Sequence, residues 1–255
     1  MAKPSLPLDV EEFLAWMLAE KGRSANTLAA YRRDLGSYCA WLGERDADVL
    51  EVSHQQLVTF VGERKASGAA TSSVARQLAA IRMLHRYLAI EGVRSDDPAA
   101  DLEGVKVPSG IPKPLTESQI NSLLDAVVGH EPLDHRDRAL LELLYATGAR
   151  ISEVTGLSIG DLDLDRRLVR LYGKGSKERI VPFGSSAAEA LDEWFSPRGR
   201  ARLVPDRWQR RGDAEAVFLN LRGSRLTRQA AWLVVKKYGR LAGVSDELSP
   251  HVLRH

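Results

Sequence analysis

The chain has 255 residues, 44% of them hydrophobic and 27% charged, the composition of a folded globular protein with a sizeable core, which excludes disordered, collagenous and fibrous chains. Thirty-six Lys and Arg against 34 Asp and Glu leave a formal charge of +2 and a pI near 8.7, which permits a nucleic-acid partner without demanding one. The single cysteine, Cys39, excludes an internal disulfide and a thiolate metal cage. A reducing cytoplasm is therefore expected, with Cys39 a small buried hydrophobe. Asp9, Glu11 and Glu12 interrupt the stretch where a signal peptide needs an unbroken apolar run, and no run reaches the ~18 apolar residues of a membrane span. No membrane anchor is expected in this chain.

The first third reads as successive amphipathic helices. Asp9 and Glu12 form a capping-box start for the first, Val10, Phe13, Leu14, Met17 and Leu18 share its apolar face, and Gly22 stops it. A second helix begins near Ser24 to Thr27 and turns Leu28, Tyr31, Leu35 and Leu42 inward, leaving Arg32 and Arg33 outside. A third begins at Ser53 and ends by Gly68, and a fourth runs over about 71–91 with Val74, Leu78, Ile81 and Leu88 in register. Four such helices with short connections predict a compact bundle. The stretch 93–115 holds Pro98, Pro108, Pro112 and Pro114 with Gly104 and Gly110 and little apolar periodicity, which reads as an interdomain linker. Beyond it, Thr116 and Gln119 cap a helix, and a longer helix over 136–146 breaks at Gly148. Two β-prone runs, 168–172 and 178–183, flank Gly173-Lys174-Gly175-Ser176-Lys177 and predict a hairpin. The remainder reads as helical around an Arg-rich irregular segment over 198–211.

Three short motifs carry chemistry only when combined. Arg150 follows a helix-breaking glycine in Ala146-Thr147-Gly148-Ala149-Arg150-Ile151-Ser152-Glu153-Val154; alone it reads as a surface arginine, with Glu153 its nearest partner. Lys174 in the hairpin reads alone as a solvated turn lysine. His251 and His255, four apart after Ser249-Pro250, share a helical face, yet the Glu of the zincin pattern is absent and no third ligand is evident, so no metal is expected.

In their order, the ATGARISEV segment, the GKGSKER hairpin and the SPHVLRH ending resemble the bacterial Xer-type tyrosine recombinases, the XerC/XerD family, within the wider tyrosine recombinase and integrase family. The segment Ala25-Asn26-Thr27-Leu28-Ala29-Ala30-Tyr31-Arg32-Arg33-Asp34-Leu35 resembles the second helix of that family's N-terminal DNA-binding domain, so the likeness covers essentially the whole chain. Residues 217–220, Arg225 to Ala230 and the LSPHVLRH ending are somewhat more similar to the XerD branch. The resemblance implies a mainly α fold with a small β-sheet or hairpin. It divides the chain into an N-terminal four-helix core-binding (SAM-like) domain over 1–95, a linker over 96–114 and an α+β catalytic domain over 115–255.

It further implies that Arg150 and Arg254 clamp a phosphate, that Lys174 is the hairpin lysine and that His251 is the histidine of the HxxR box. A phosphodiester attacked in line gathers negative charge on its nonbridging oxygens, and two planar guanidiniums neutralise it without Mg²⁺ or any cofactor. The leaving 5′-oxygen needs a proton, which the Lys174 ammonium can deliver, while His251 accepts a proton or hydrogen-bonds the phosphate. Lys177 competes locally for that proton-donating role. Family members continue to a tyrosine nucleophile, whereas the six tyrosines here, Tyr31, Tyr38, Tyr87, Tyr145, Tyr172 and Tyr238, all precede Arg254. Tyr31, Tyr145 and Tyr172 fall in apolar periodic runs and read as core or half-core. The 255 residues are thus expected to bind DNA without forming a phosphotyrosine.

Candidate DNA contacts are Arg23, Asn26, Thr27, Arg32 and Arg33 at one helix start and Ser72, Ser73 and Arg76 at another, with Lys177 in the hairpin. Arg225, Thr227, Arg228, Gln229, Lys236 and Lys237 lie on or beside the helix containing Trp232. Expected partners are duplex DNA at a specific recombination site and paired recombinase subunits in a tetrameric synapse. The implied role is site-specific recombination of the chromosome-dimer-resolving kind, tied to chromosome partition and cell division. The alternative is a noncatalytic DNA-binding protein that occupies recombination sites.

Overall fold

The structure, a computed structural model, describes residues 6–107, 115–173 and 177–244. The chain divides into two compact units, 1–110 and 111–255. Among the described residues no helix is long and apolar enough to cross a membrane.

The first unit contains α1 (Leu8–Ala19), α2 (Ala25–Gly43), α3 (His54–Ala66) and α4 (Thr71–Ile90). Ser24 caps α2 by accepting from the Thr27 N–H, and Ser53 and Gln56 form a reciprocal capping box on α3, so both starts stand where the sequence places them. The start of α1 does not. Asp9 lies inside the helix and caps nothing; the carbonyl of Pro7 receives the Val10 and Glu11 N–H groups instead. A proline there has its φ already near the helical value, and the helix begins without a side-chain cap. Val10, Phe13, Leu14 and Met17 are buried as expected, while Leu18 is exposed. The core is aromatic at its centre: Phe60 meets Tyr38 and Trp41 edge-on, with ring centroids 5.3 and 5.2 Å apart. Cys39 is half-buried, and burial pushes its thiol up to about 11.

Part of the segment 96–114 packs with the first unit. Ala99 and Leu102 are buried in the first core, with Val105 packed against it. Arg94, itself buried, donates to the Val49 and Val52 carbonyls at 3.0 and 3.1 Å. Three apolar residues three apart, in a segment that forms no helix, are too few to stand out from its prolines and glycines, yet they suffice to tie it down.

The second unit contains α5 (Glu117–Asp125), α6 (Pro132–Thr147), α7 (Ile151–Gly156), β1 (Leu162–Asp163), β2 (Leu168–Tyr172), β3 (Glu178–Pro182), α8 (Ser185–Phe195) and α9 (Arg228–Leu241). Short 3₁₀ turns at Ile159–Asp161, Arg200–Leu203 and Arg211–Asp213 fill its connections. Thr116 and Gln119 cap α5 reciprocally. The long helix starts four residues before the expected 136, because Glu131 and Asp134 box its N-terminus and Pro132 occupies the first turn. The sheet is antiparallel in the order β1-β2-β3, with Val169 opposite Val181 and Tyr172 opposite Glu178. Its first strand, two residues long, is below the length that alternation can reveal. In β2, Val169 and Leu171 face the core while Arg170 and Tyr172 face out. Burying those two aliphatic side chains is worth about 1.5–3 kcal/mol each and fixes the register, since a slip of one residue would exchange the faces. Trp194, fully buried, donates its indole N–H to the Val217 carbonyl at 2.9 Å.

Two tyrosines depart from the core reading. Tyr145 is 41% exposed and Tyr172 48% exposed, because the last turn of α6 and the outer face of β2 both look to solvent. Tyr31 is half-buried, with its hydroxyl 3.6 Å from the Met83 sulfur.

Candidate active site and nucleic-acid interface

The centre of the site is a helix break. Gly148, at φ +57°, ends α6 in the left-handed region that glycine tolerates. Ala149 is buried, and Arg150, with extended backbone, stands at the N-cap of α7. Three residues thus separate two helices, and the guanidinium of Arg150 emerges at the second helix's positive end. Its side chain is 45% exposed.

Glu153, one turn into α7 and only 3% exposed in its side chain, holds this arrangement. Its Oε2 accepts the Arg150 backbone N–H at 2.7 Å and its Oε1 accepts Arg150 Nη1 at 2.9 Å. Arg179 of β3 donates Nη1 to Oε1 at 3.0 Å and Nη2 to Oε2 at 2.8 Å. Burial alone would raise the carboxyl, but the Arg179 hydrogen bonds and those from Arg150 outweigh it and hold Glu153 down at about 2. One buried carboxylate therefore stays ionised between two half-exposed guanidiniums. Arg179 escaped sequence reasoning; the signal was its place on the face of β3 shared with the inward-leaning Val181, where a charge requires a partner.

The hairpin is anchored at its stem, where the Gly173 N–H donates to the Lys177 carbonyl at 2.7 Å. A Cβ on Gly173 would meet Glu153 Oε1 at 3.5 Å and Arg179 Nη1 at 3.6 Å, so the stem packs directly on the ion cluster. Lys177 is exposed beside it. Lys174, His251 and Arg254 lie outside the described residues.

Arg225, read from sequence as a DNA contact, is bonded within the fold. Its Nη1 donates to the Gly156 and Leu157 carbonyls, both at 2.7 Å, and its Nη2 reaches Ser158 Oγ at 3.1 Å and the Gly212 carbonyl at 3.3 Å. It reaches the carbonyls at the C-terminal end of α7, the helix whose other end carries Arg150, joining the Val217 N–H that the Leu157 carbonyl also accepts at 3.0 Å. Next to it, Thr227 caps α9 by accepting from the Ala230 N–H. Arg228 and Gln229 open that helix exposed, and Lys236 lies 5.5 Å over the Trp232 ring. Lys237 turns back to the Tyr238 hydroxyl at 2.9 Å and Asp137 at 3.9 Å.

In the first unit, Arg23, Asn26 and Arg33 are exposed around the start of α2, and Thr27 is half-buried with its hydroxyl 3.0 Å from Ser24 Oγ. Arg32 pairs with Glu11 of α1 through both nitrogens of its fork. Arg76 forks onto Asp34 at 2.7 and 3.0 Å, one residue past Arg33. Ser72 is exposed and Ser73 partly so in the first turn of α4, which has no side-chain cap.

Comparison with known proteins agrees with this geometry. The phage integrase family matches residues 113–255, and the phage integrase N-terminal SAM-like domain matches 10–92. Tyrosine recombinase XerD of Yersinia pestis is 42% identical over 247 residues, covering 96% of this chain and 81% of the relative. Tyrosine recombinase XerC of Roseiflexus castenholzii is 41% identical over 251 residues, covering 96% and 77%. Among solved structures, a λ integrase (75–356) dimer bound to a COC′ core site aligns with a TM-score of 0.72 at 17% identity, covering 98% of this chain and 84% of that one. The XerH recombinase bound to a palindromic difH substrate, a post-cleavage complex, aligns at 0.71 and 20%, covering 96% and 71%. At those identities the two structures share the fold with this chain. The sequence relatives and the family match decide the rest: the chain belongs to the phage integrase family, as a Xer-type tyrosine recombinase.

Proposed function

We propose that the protein binds duplex DNA at a specific site and exchanges strands there through a 3′-phosphotyrosine, with Arg150 and Arg254 clamping the scissile phosphate. The observation that supports this most is the cluster of Arg150, Glu153 and Arg179: two arginines against one carboxylate leave positive charge at the solvent-facing start of α7, with the hairpin stem packed on it. As a tyrosine oxygen attacks, negative charge grows on the nonbridging oxygens, and a preorganised guanidinium stabilises it without reorganising. Lys174, one residue past the anchored Gly173, protonates the leaving 5′-oxygen. His251 hydrogen-bonds the phosphate or takes the tyrosine proton.

Outside the site, exposed Arg23, Asn26, Arg33 and Ser72 in the first unit, and Lys177, Arg228, Gln229 and Lys236 in the second, bind phosphates and base edges. The partners are a paired recombinase paralogue and a four-subunit synapse, the process is chromosome dimer resolution at cell division, and the location is the cytoplasm.

The test has two arms. Residues 1–255 bind site-bearing duplex by fluorescence anisotropy, with affinity falling about a thousandfold between 50 and 200 mM salt for ~6–10 phosphate contacts. Joined to the tyrosine-bearing C-terminal segment of a family member, they form a covalent adduct on a nicked suicide substrate, whereas the 255 residues alone do not. Binding without an adduct in the joined protein would favour the noncatalytic reading instead.

A further inference from the structure

Of the two guanidiniums on Glu153, only that of Arg150 is assigned to the phosphate. The second, Arg179, makes the more complete pair with the carboxylate, two parallel hydrogen bonds at 3.0 and 2.8 Å, whereas Arg150 spends one side-chain nitrogen and its backbone N–H. Charge counting shows what Arg179 supplies. Arg150 with Glu153 alone is a neutral pair, and a carboxylate 2.9 Å from the guanidinium cancels much of the field that guanidinium offers a phosphate. A second arginine on the same carboxylate returns the cluster to +1. Because Glu153 is buried, solvent does little of this compensation.

Geometry adds a second contribution. Arg179 lies on the strand that leaves the hairpin, and Gly173, directly after the strand that enters it, lies close to both Glu153 and Arg179. The fork from Arg179 thus fixes which way the carboxylate faces, and the carboxylate in turn fixes Arg150. We propose that Arg179 is a positioning residue of the phosphate clamp: it orients Glu153 and compensates its charge, so that the positive charge of Arg150 remains available to the nonbridging oxygens. The proposal rests on the recombinase reading and goes beyond it by giving this strand residue a part in the chemistry.

The experiment measures initial cleavage rates in the joined protein on two substrates, an ordinary phosphodiester and a methylphosphonate in which a neutral methyl replaces one charged nonbridging oxygen at the scissile position. Arg179→Met is expected to slow the phosphodiester by about tenfold to a hundredfold, less than Arg150→Ala, and the methylphosphonate by only a few fold, since less charge then needs neutralising. DNA affinity should change less than about threefold, because Arg179 holds a carboxylate and not the DNA. Arg179→Lys, with a point charge and no fork, should fall between wild type and Arg179→Met. The double variant Glu153→Gln with Arg179→Met removes the uncompensated carboxylate and should regain part of the lost rate. If Arg179→Met does not fold, the lysine and double variants carry the same test. Equal slowing on both substrates, an unchanged rate, or no recovery in the double variant would overturn the proposal. A joined protein in which Arg150→Ala cleaves normally would instead overturn the recombinase reading beneath it.

Discussion

Among the polar groups that each unit buries, His85 in the first and Glu153 in the second are held on opposite terms. In the first, His85 is fully buried with its Nε2 2.9 Å from the Tyr38 hydroxyl. Burial, reinforced by the positive charge of Arg94, pushes this imidazole down to about 4, so it stays neutral at ordinary pH. In the second, Glu153 is also buried but held down at about 2 by hydrogen bonds from Arg179 and Arg150 that outweigh burial, so it stays charged. The direction of the shift is the same and its meaning reversed. A neutral pair deep in a helical bundle specifies packing and little else, whereas a charged cluster left half-open at a helix start keeps a field directed at whatever binds there.

The largest effect that separates the two clusters lies in the chemistry. In the joined protein, Arg150→Ala is expected to reduce suicide-substrate cleavage by more than a hundredfold, about 3 kcal/mol or more of transition-state stabilisation, with DNA binding retained. Glu153 keeps both the Arg179 fork and the Arg150 backbone N–H in that variant, so thermal unfolding should move little. Tyr38→Phe should do the reverse. It leaves His85 without its partner in the core, costs about 1–3 kcal/mol in urea unfolding, and leaves the cleavage rate of the folded protein unchanged. A stability loss in the first variant, or a rate loss in the second, would erase the distinction.

Acid extends the comparison. Between the ordinary histidine pKa and about 4 the unfolded chain binds a proton at His85 that the folded chain refuses. That contribution to stability is complete above the unfolded value and is lost as pH falls toward 4, by about 3 kcal/mol in all. The Glu153 contribution runs down later: it is present above the ordinary carboxylate range and is lost only as pH falls toward about 2. Hydrogen exchange followed from pH 7.5 to 4.5 should therefore show α2 and α4 losing protection before α7 and β3. The double variant Tyr38→Phe with His85→Leu removes both polar partners together and should flatten the acid slope of the first unit. A slope that persists in it would place the titration elsewhere.

How much of this was legible depends on whether the signal was local. Ser24, Ser53 and Thr116 announce their helices because an N-cap is written in four consecutive residues. Alternation in β2 is equally local, and the resemblance placed Arg150 at its helix break. What sequence reading missed is long-range. Arg179 becomes part of the site only when β3 lies against α7, 26 positions earlier in the chain. Arg225 has the residue type of a DNA contact and stands beside a capped helix, but its partners on and beside α7, two carbonyls and the Ser158 hydroxyl, are 67 to 69 positions away. Ala99 and Leu102 join the first core from a segment whose prolines and glycines read as linker. Asp9 misled in the other direction: it has a cap's residue type, but Pro7 had already started the helix.

Arg225 yields a smaller prediction. Arg225→Ala removes a side-chain donor from the Gly156 carbonyl, while the Leu157 carbonyl keeps the Val217 N–H, and should cost about 0.5–1.5 kcal/mol of stability. Because the side chain is spent on backbone oxygens, the salt slope of DNA binding should not change. A slope reduced by one phosphate would show that the guanidinium leaves α7 when DNA binds.

Arg32 tests the same distinction from the other unit, with the smallest expected effect. Its guanidinium is half-exposed and paired with Glu11, a carboxylate that is also partly exposed, and an exposed pair of this kind stabilises a fold by at most about 1 kcal/mol. Unfolding of Arg32→Ala should thus be nearly that of wild type. If Arg32 gives up Glu11 for a phosphate, one fewer counterion is displaced in the variant, and the slope of log affinity against log salt should become shallower by about 0.9. Glu11→Gln sharpens the result, since freeing Arg32 from its carboxylate should strengthen binding at low salt if the contact is real. An unchanged slope in Arg32→Ala, with no gain in Glu11→Gln, would make Arg32 a second Arg225: a cation whose charge is already committed within the fold.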